Sequence, residues 1–514
     1  MLISETIFLQ CPKDTWLKLH KPELLDLFKP TQFELHLMEQ GNEVEAWARK
    51  LFPAGRCITT TEDEACLETQ RLMAASTDAI FQATFVAHGF IAKCDILVRS
   101  ASAWDIYEIK GTNSKKENGV DRDHISDLTF QAVVLEKAGV KVGRLFIIHL
   151  NKEYVRDGDI DVEALFIKDD STEQVNAKRA EIVGQMEAAK EYLNCVSEPG
   201  TGCECHYNGR SRHCRTFAYS HPEIPEYSVH DIVRIGSCKK KLQYFIDGHF
   251  YSIDDVPDDA ELKGAQANQV RVHKSGRPII DHEAIRTALR EYAYPLYFFD
   301  YETYGPAIPV FDGFSPYQRI PFQFSLHVLT APGEPLEHFE FLQEECSDPT
   351  RQVAELLGEL IDPQRSVVVW YAPFERGVNE EIAKRRPEYA HVMERIDRQI
   401  VDLREIFSKQ HYVHPDFRGS TSIKAVLPVL CPELSYEGLA IKEGATASEQ
   451  WWEMVSDNGS AHKRREIADA LREYCKLDTY AMYAIWRFLC AACRISQGVA
   501  GGSSPCSTEL DMIA

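Results

Sequence analysis

A chain of 514 residues is too long for a single hydrophobic core, so two or three domains are expected. Its 44% hydrophobic and 26% charged residues are the proportions of a globular protein, and no apolar run approaches the ~18 residues of a membrane-spanning helix. A net charge of −22 excludes attraction to nucleic acid through overall charge and leaves phosphate contact to local clusters of Lys and Arg.

The first residues, MLISETIFLQCPKDTW, lack the basic start and apolar centre of a signal peptide, so a cytoplasmic protein with no membrane partner is expected. Fifteen cysteines, an odd number, without an export signal then argue for reduced thiols rather than a disulfide framework. Residues 33–52 read as a long helical segment bearing Glu39, Glu43 and Glu45, closed by Pro53 and Gly55. Two strand patterns follow, AIFQATFVAHGF and IAKCDILVRS, with turn residues His88 and Gly89 between them and Asp95 inside the second. In the next strand pattern, WDIYEIKGT, Glu108 and Lys110 stand two apart and share a face, and the helical DLTFQAVVLEKAGV then brings Gln131.

The ordered series Asp95, Glu108-x-Lys110 and Gln131 resembles the PD-(D/E)XK nucleases, specifically those of the RecB and AddB type. The resemblance implies that Asp95 and Glu108 ligate magnesium or manganese, that Lys110 positions or polarises the attacking water, and that Gln131 orients the site. Glu45 falls four residues after Gly41, where many such relatives carry histidine. Glu45 or Glu43 therefore completes the site or is a solvated acid.

Beyond an acidic helical segment ending near Tyr192, PGTGCECHYNGRSRHC crowds Cys203, Cys205 and Cys214 together. With His206 and His213 these have the local composition of a zinc site. RecB-like nucleases with an iron–sulfur cluster take one cysteine from before the nuclease core and three from after it, and Cys11 with Cys203, Cys205 and Cys214 repeats that layout. The resemblance implies a [4Fe–4S] cluster on four thiolates. The C-x-C-x8-C spacing departs from the familiar arrangement and keeps zinc as the alternative. Cys94, Cys475, Cys490 and Cys493 lie on apolar patterns and read as core. Arg210, Arg212 and Arg215, then Lys239, Lys240 and Lys241, are solvated faces or phosphate tracks. Residues 221–290 break into short charged pieces and read as a connecting module.

The apolar strand YFFDYET sets Asp300 and Glu302 two apart, so both point the same way. Like charges so placed raise each other's pKa unless a cation sits between them, and a divalent metal is the usual one. SVVVWYAPFERGV is a strand that breaks at Ala372 and Pro373 and delivers Glu375 at a helix start, and LREYCKLDTYAMYAIWRFL puts Tyr474 and Asp478 on one helical face. Acid-x-acid, a later acid and Y-x-x-x-D together resemble the DEDD exonucleases of the ribonuclease H-like fold, in the subgroup with tyrosine in the last motif. The resemblance implies that Asp300, Glu302, Glu375 and Asp478 hold two metal ions and that Tyr474 orients the attacking water. Glu375 stands where the family commonly has aspartate, and Asp402 in IVDLREIF is the fallback ligand. IPFQFSLHV, the pair Asp348-Pro349, and YCKLDT are similar to an uncharacterised bacterial domain family of the same superfamily. Past Arg494 the Gly- and Ser-rich end is expected to be disordered.

The expected fold class is α/β: a PD-(D/E)XK restriction-endonuclease-like domain over 1–220, the connector over 221–290, a ribonuclease H-like 3′–5′ exonuclease domain over 291–494 and a tail over 495–514. Each domain is expected to be a mixed sheet flanked by helices. The expected function is a metal-dependent, two-site nuclease acting on DNA. The alternatives are RNA processing and a nucleic-acid-binding scaffold with decayed sites.

Overall fold

The computed structural model describes residues 2–4, 11–60, 62–75, 77–112, 122–456 and 459–494; the tail past Arg494 lies outside them. The chain forms two compact α/β units, the first of Met1–Val256 with Gly305–Arg319, the second of Pro257–Tyr304 with Ile320–Ala514. Residues 221–290 are therefore divided between the two units instead of forming a module of their own. No helix among the described residues is long and apolar enough to cross a membrane.

In the first unit the elements run β1 (Ile3–Ser4), α1 (Pro12–His20), α2 (Gln32–Ala48), β2 (Arg56–Cys57), α3 (Glu62–Ala74), β3 (Ala79–Ala87), β4 (Phe90–Ser100) and β5 (Ala103–Lys110). They continue with α4 (Arg122–Lys137), β6 (Val142–Leu150), β7 (Phe166–Asp170), α5 (Thr172–Leu193) and α6 (Lys239–Asp247). The sheet order is β2-β3-β4-β5-β6-β7, with β1 added beside the start of β4. The β3–β4 hairpin turns on His88 and Gly89 at φ +54 and +90, the left-handed pair that a tight right-twisted hairpin requires. β5 and β6 are parallel, which demands a crossover, and α4 supplies it. The buried faces of α4 and α5 close the core over the sheet through Leu128, Val133, Ile182 and Met186. Thr31 and Glu34 form a reciprocal cap at the start of α2, worth about 1 kcal/mol.

Gly305–Arg319 is the connection between two strands of the second unit, yet its Ala307 and Ile308 join the first unit's core with Val44, Phe81, Ile96 and Ile109. Its Tyr317 hydroxyl donates to Gly111 O at 2.5 Å, just beyond Lys110.

The second unit runs α7 (Ala265–Ser275), β8 (Ile279–Ile280), α8 (His282–Arg290), β9 (Leu296–Tyr304), β10 (Ile320–Leu329), β11 (Leu336–Leu342), α9 (Thr350–Leu360) and β12 (Ser366–Val369). It continues with α10 (Ala372–Arg385), α11 (Ala390–Gln399), β13 (Ile400–Asp402), β14 (Tyr412–Val413), α12 (Ile423–Leu430), α13 (Gly444–Ser456) and α14 (Ala461–Ala492). Its main sheet has the order β11-β10-β9-β12-β13, β9 being antiparallel to β10 and parallel to β12. Tyr297, Phe299 and Tyr301 alternate onto the face covered by α9 and α11, where Val353, Leu357 and Ile396 enclose them. The opposite face meets α14, against which Phe298 packs its ring on Tyr483 and Trp486. Asp300 and Glu302 lie in phase with Phe298 and so face that helix.

Candidate metal centres

Strand phase and helix phase together bring three carboxylates to one point in the second unit. Asp300 and Glu302 of β9 and Asp478 of α14 each offer an oxygen, and these oxygens lie within 4.8 Å of one another. Glu302 and Asp478 are buried, at 7% and 6% exposure. Burial and the Asp478 charge push the Glu302 carboxyl up to about 8, and burial lifts Asp478 to about 6. Asp300 is also raised well above the usual carboxylate range, by burial and then by Asp478, Glu302 and Glu375. Three oxygen donors that resist carrying their charges side by side fit a hard divalent cation, which removes the repulsion.

Around the acids stand groups that orient and offset them. Tyr436 donates its hydroxyl to Asp478 Oδ1 at 2.6 Å. Tyr474, one turn before Asp478, is buried, and burial with the nearby acids raises its phenol pKa. Lys424, in the first turn of α12, places Nζ 3.5 Å from the Tyr474 hydroxyl and lies over the Tyr436 and Tyr474 rings at 5.5 and 5.4 Å. Its charge lowers the pKa of all three acids, against the larger upward push of burial. Gly444 opens α13 so close to Glu302 that a Cβ there would stand 3.4 Å from Oε2.

Glu375 is buried in the first turn of α10, where its charge reaches Asp300, but its carboxylate is not among those within 4.8 Å of one another. Asp402 is otherwise engaged. Its Oδ2 accepts from Ala372 N and its Oδ1 from Arg404 N, both at 3.0 Å, so it fastens the start of α10 to the end of β13. Asp348 likewise serves the fold, accepting from Thr350 at the start of α9 and from Arg385 and Arg386.

The first unit assembles a second polar centre at the middle of β4 and the end of β5. Lys110 donates to Glu108 Oε1 at 2.7 Å and to Asp127 Oδ2, and Gln131 Nε2 donates to Glu108 Oε2 at 2.7 Å and to Asp127 Oδ1 at 3.1 Å. Burial and the neighbouring Asp127 push Glu108 up to about 7. Burial works against the Lys110 charge, but Glu108 and Asp127 outweigh it and hold the ammonium protonated. Asp95 accepts Ile109 N at 2.9 Å, and its pKa is raised by burial, then by Glu108 and Glu45. Glu45 is half-buried, bound by Arg49 and Gln82, whereas Glu43 is exposed. Here the lysine stands between two of the acids, Glu108 and Asp127.

The Sγ atoms of Cys11, Cys203, Cys205 and Cys214 also lie within 4.8 Å of one another, so four thiols from distant stretches of the chain could hold a metal. Cys11 immediately precedes α1, and Asp14 of that helix accepts Thr216 N at 2.8 Å and Thr216 Oγ1 at 2.7 Å, which fixes the helix against the loop of Cys214. The neighbouring thiols shift one another, lowering the pKa of Cys203 and Cys205 and raising that of Cys11 and Cys214. The Cys203 and Cys214 sulfurs are 3.7 Å apart. One tetrahedral ion bound at ~2.3 Å spaces its ligand sulfurs by about 3.8 Å. Cys94, Cys475, Cys490 and Cys493 are buried. Arg210 pairs with Asp231, and Arg215 donates to Lys29 O at 3.0 Å, to Leu27 O and to Glu34, so both arginines are committed to the fold.

Asp127, Gln82, Lys424 and Tyr436 were not singled out from sequence. Asp127 stands one helical turn before Gln131, and that spacing is the one signal that could have found it.

A family described as "Domain of unknown function (DUF2779)" matches residues 297–422, which include Asp300, Glu302, Glu375 and Asp402 but not Asp478. The chain is also similar to an "Uncharacterized protein MG366 homolog" of Mycoplasma pneumoniae, 24% identical over 301 residues. That match takes 53% of this chain and 45% of the relative, so the chain spans about half the length of the relative it matches. Among solved structures, "Crystal structure of SSO0001" aligns at 13% identity over 42% of this chain and 83% of that one, with a TM-score of 0.22.

Proposed function

We propose that the chain is a metal-dependent nuclease with two phosphodiesterase sites, a RecB-like PD-(D/E)XK centre in the first unit and a DEDD-type 3′–5′ exonuclease centre in the second. DNA is its proposed substrate and the cytoplasm its proposed location. The observation that carries this reading is the triad Asp300, Glu302 and Asp478 with Tyr474 one helical turn away. When bound, magnesium or manganese supplies charge neutralisation at the phosphate and a lowered pKa for water. Asp300, Glu302 and Asp478 would hold such an ion in the second unit, with Glu375 as the outlying fourth acid. Tyr474 and Lys424 place a hydroxyl and an ammonium beside that position, suited to orient water and to bind a phosphate oxygen. In the first unit Asp95 and Glu108 would be the ligands, and Lys110, held charged between Glu108 and Asp127, would face the nucleophile or the phosphate.

For the four cysteines we propose the [4Fe–4S] cluster that the layout of Cys11, Cys203, Cys205 and Cys214 resembles. Cys11, Cys203, Cys205 and Cys214 would each give one thiolate to such a cluster. The second reading is zinc, favoured by the 3.7 Å separation of Cys203 and Cys214. Iron, zinc and acid-labile sulfide measured on anaerobically purified protein separate the two.

The functional reading is tested with end-labelled single- and double-stranded DNA and RNA in magnesium or manganese. Stepwise shortening of 5′-labelled DNA, absent in Asp300→Ala and in Asp478→Ala, is expected. Cleavage of RNA alone would move the substrate to RNA. No metal-dependent cleavage of any of the four would withdraw the enzyme.

A further inference from the structure

Gln82 occupies a backbone conformation that its strand does not call for. β3 pairs with β4 in one unbroken register from Ala79 opposite Val98 to Ala87 opposite Phe90, and one pair drops out of the ladder, the one that would set Gln82 against Asp95. At that point Gln82 turns to φ +59, the left-handed region, although its neighbours are extended and buried. A non-glycine residue held there is strained, and such strain persists only where the surroundings over-determine it. Glycine would relieve the backbone, but glycine has no side chain to offer.

The side chain is what the left-handed turn delivers. Gln82 Nε2 donates to Glu45 of α2 and approaches Asp95 Oδ1 at 3.4 Å, so one amide spans an acid from the helix and an acid from the sheet. The other Asp95 oxygen takes Ile109 N at 2.9 Å from β5. Asp95 thus fills the gap left by two ladders, and Glu45 is drawn over it, with Arg49 donating to the same Glu45 oxygen, Oε1, that Gln82 binds. We propose that Gln82 is a positioning residue of the first site, which sets Glu45 beside Asp95 as a further carboxylate ligand for a divalent cation. The proposal rests on the reading of that site as a nuclease centre. Groups that orient metal ligands from behind typically change metal affinity by about 10- to 100-fold when removed.

The test uses the full chain carrying Asp300→Asn and Asp478→Asn, so that manganese uptake reports on the first unit. Manganese binding is followed by the loss of the free-ion electron paramagnetic resonance signal, and melting by calorimetry, for Gln82→Gly and Gln82→Ala in that background. Both variants are expected to bind manganese about 10- to 100-fold more weakly. Gln82→Gly is expected to melt about 2–4 °C above Gln82→Ala, because glycine accepts the left-handed backbone and alanine does not. A group that only held the fold together would give the reverse: weaker binding solely where melting falls. Unchanged manganese affinity in the folded Gln82→Gly protein overturns the proposal. If the chain with Gln82 intact binds no manganese that Asp95→Asn removes, the nuclease reading of the first site fails, and the role of Gln82 with it.

Discussion

Glu302→Gln should stabilise the metal-free second unit while destroying its response to metal. The Glu302 carboxyl is raised from an ordinary 4.5 to about 8 by burial and by Asp478. Between those two values the folded state keeps a proton that the unfolded state has released, so stability falls as pH rises through the window and levels off above it. At pH 7.5 the penalty is about 4 kcal/mol and at pH 5 about 1 kcal/mol, at 1.36 kcal/mol per pH unit. Relaxation of the neighbouring acids lowers the realised gain to roughly 2–3 kcal/mol, or about 5–10 °C in the second unit's melting. A neutral amide of the same shape avoids this cost. Calorimetry of both proteins in chelator at pH 5 and 7.5, then with saturating manganese, reads the effect. The expected pattern is a gain for Glu302→Gln at pH 7.5 that shrinks at pH 5, and a manganese-induced rise confined to the unsubstituted protein. A loss of stability at both pH values, or equal rises with manganese, would show that Glu302 is an ordinary structural acid.

Tyr436→Phe removes the hydroxyl that lowers the Asp478 pKa, so the apparent pKa governing 3′ trimming should move upward and activity at pH 7 should fall several-fold in a stably folded protein. Cys214→Ser should lose the bound metal and lower the first unit's melting temperature, since a centre joining Cys11 to Cys205 closes a long loop; metal content and calorimetry check both. Lys110→Ala should abolish first-site cleavage and spare 3′ trimming, and Glu302→Ala the reverse, because each set of groups belongs to its own unit. Product ladders from internally and terminally labelled substrates separate the two activities.

Much of the second site is legible in the chain because its spacings lie within single elements. A strand repeat of two sends Asp300 and Glu302 to one face, and a helical turn does the same for Tyr474 and Asp478. Tyr436 and Lys424 reach the same place from 42 and 50 residues away, from segments with no carboxylate pattern, and no local periodicity marks them. Asp402 has the residue type and strand-end position of a ligand, but the first backbone N–H of α10 needs an acceptor and takes its carboxylate. The His88–Gly89 turn is readable from composition, whereas the left-handed turn at Gln82 in mid-strand leaves no trace in it. The change of texture at 221–290 marks real irregularity without revealing which core each part joins. The apolar Ala307 and Ile308 in the loop between β9 and β10 give no local sign that the first unit buries them.

Metal-dependent phosphodiester cleavage is tested most directly by comparing the unsubstituted chain with the Lys110→Ala/Asp300→Ala double variant. Both are purified identically, stripped of metal, supplied with manganese and given 5′-labelled single-stranded DNA. A ladder of shortened products from the unsubstituted chain, and intact DNA that is still bound by the double variant, is the result expected. Equal cleavage by the two proteins, or none by either, would contradict it.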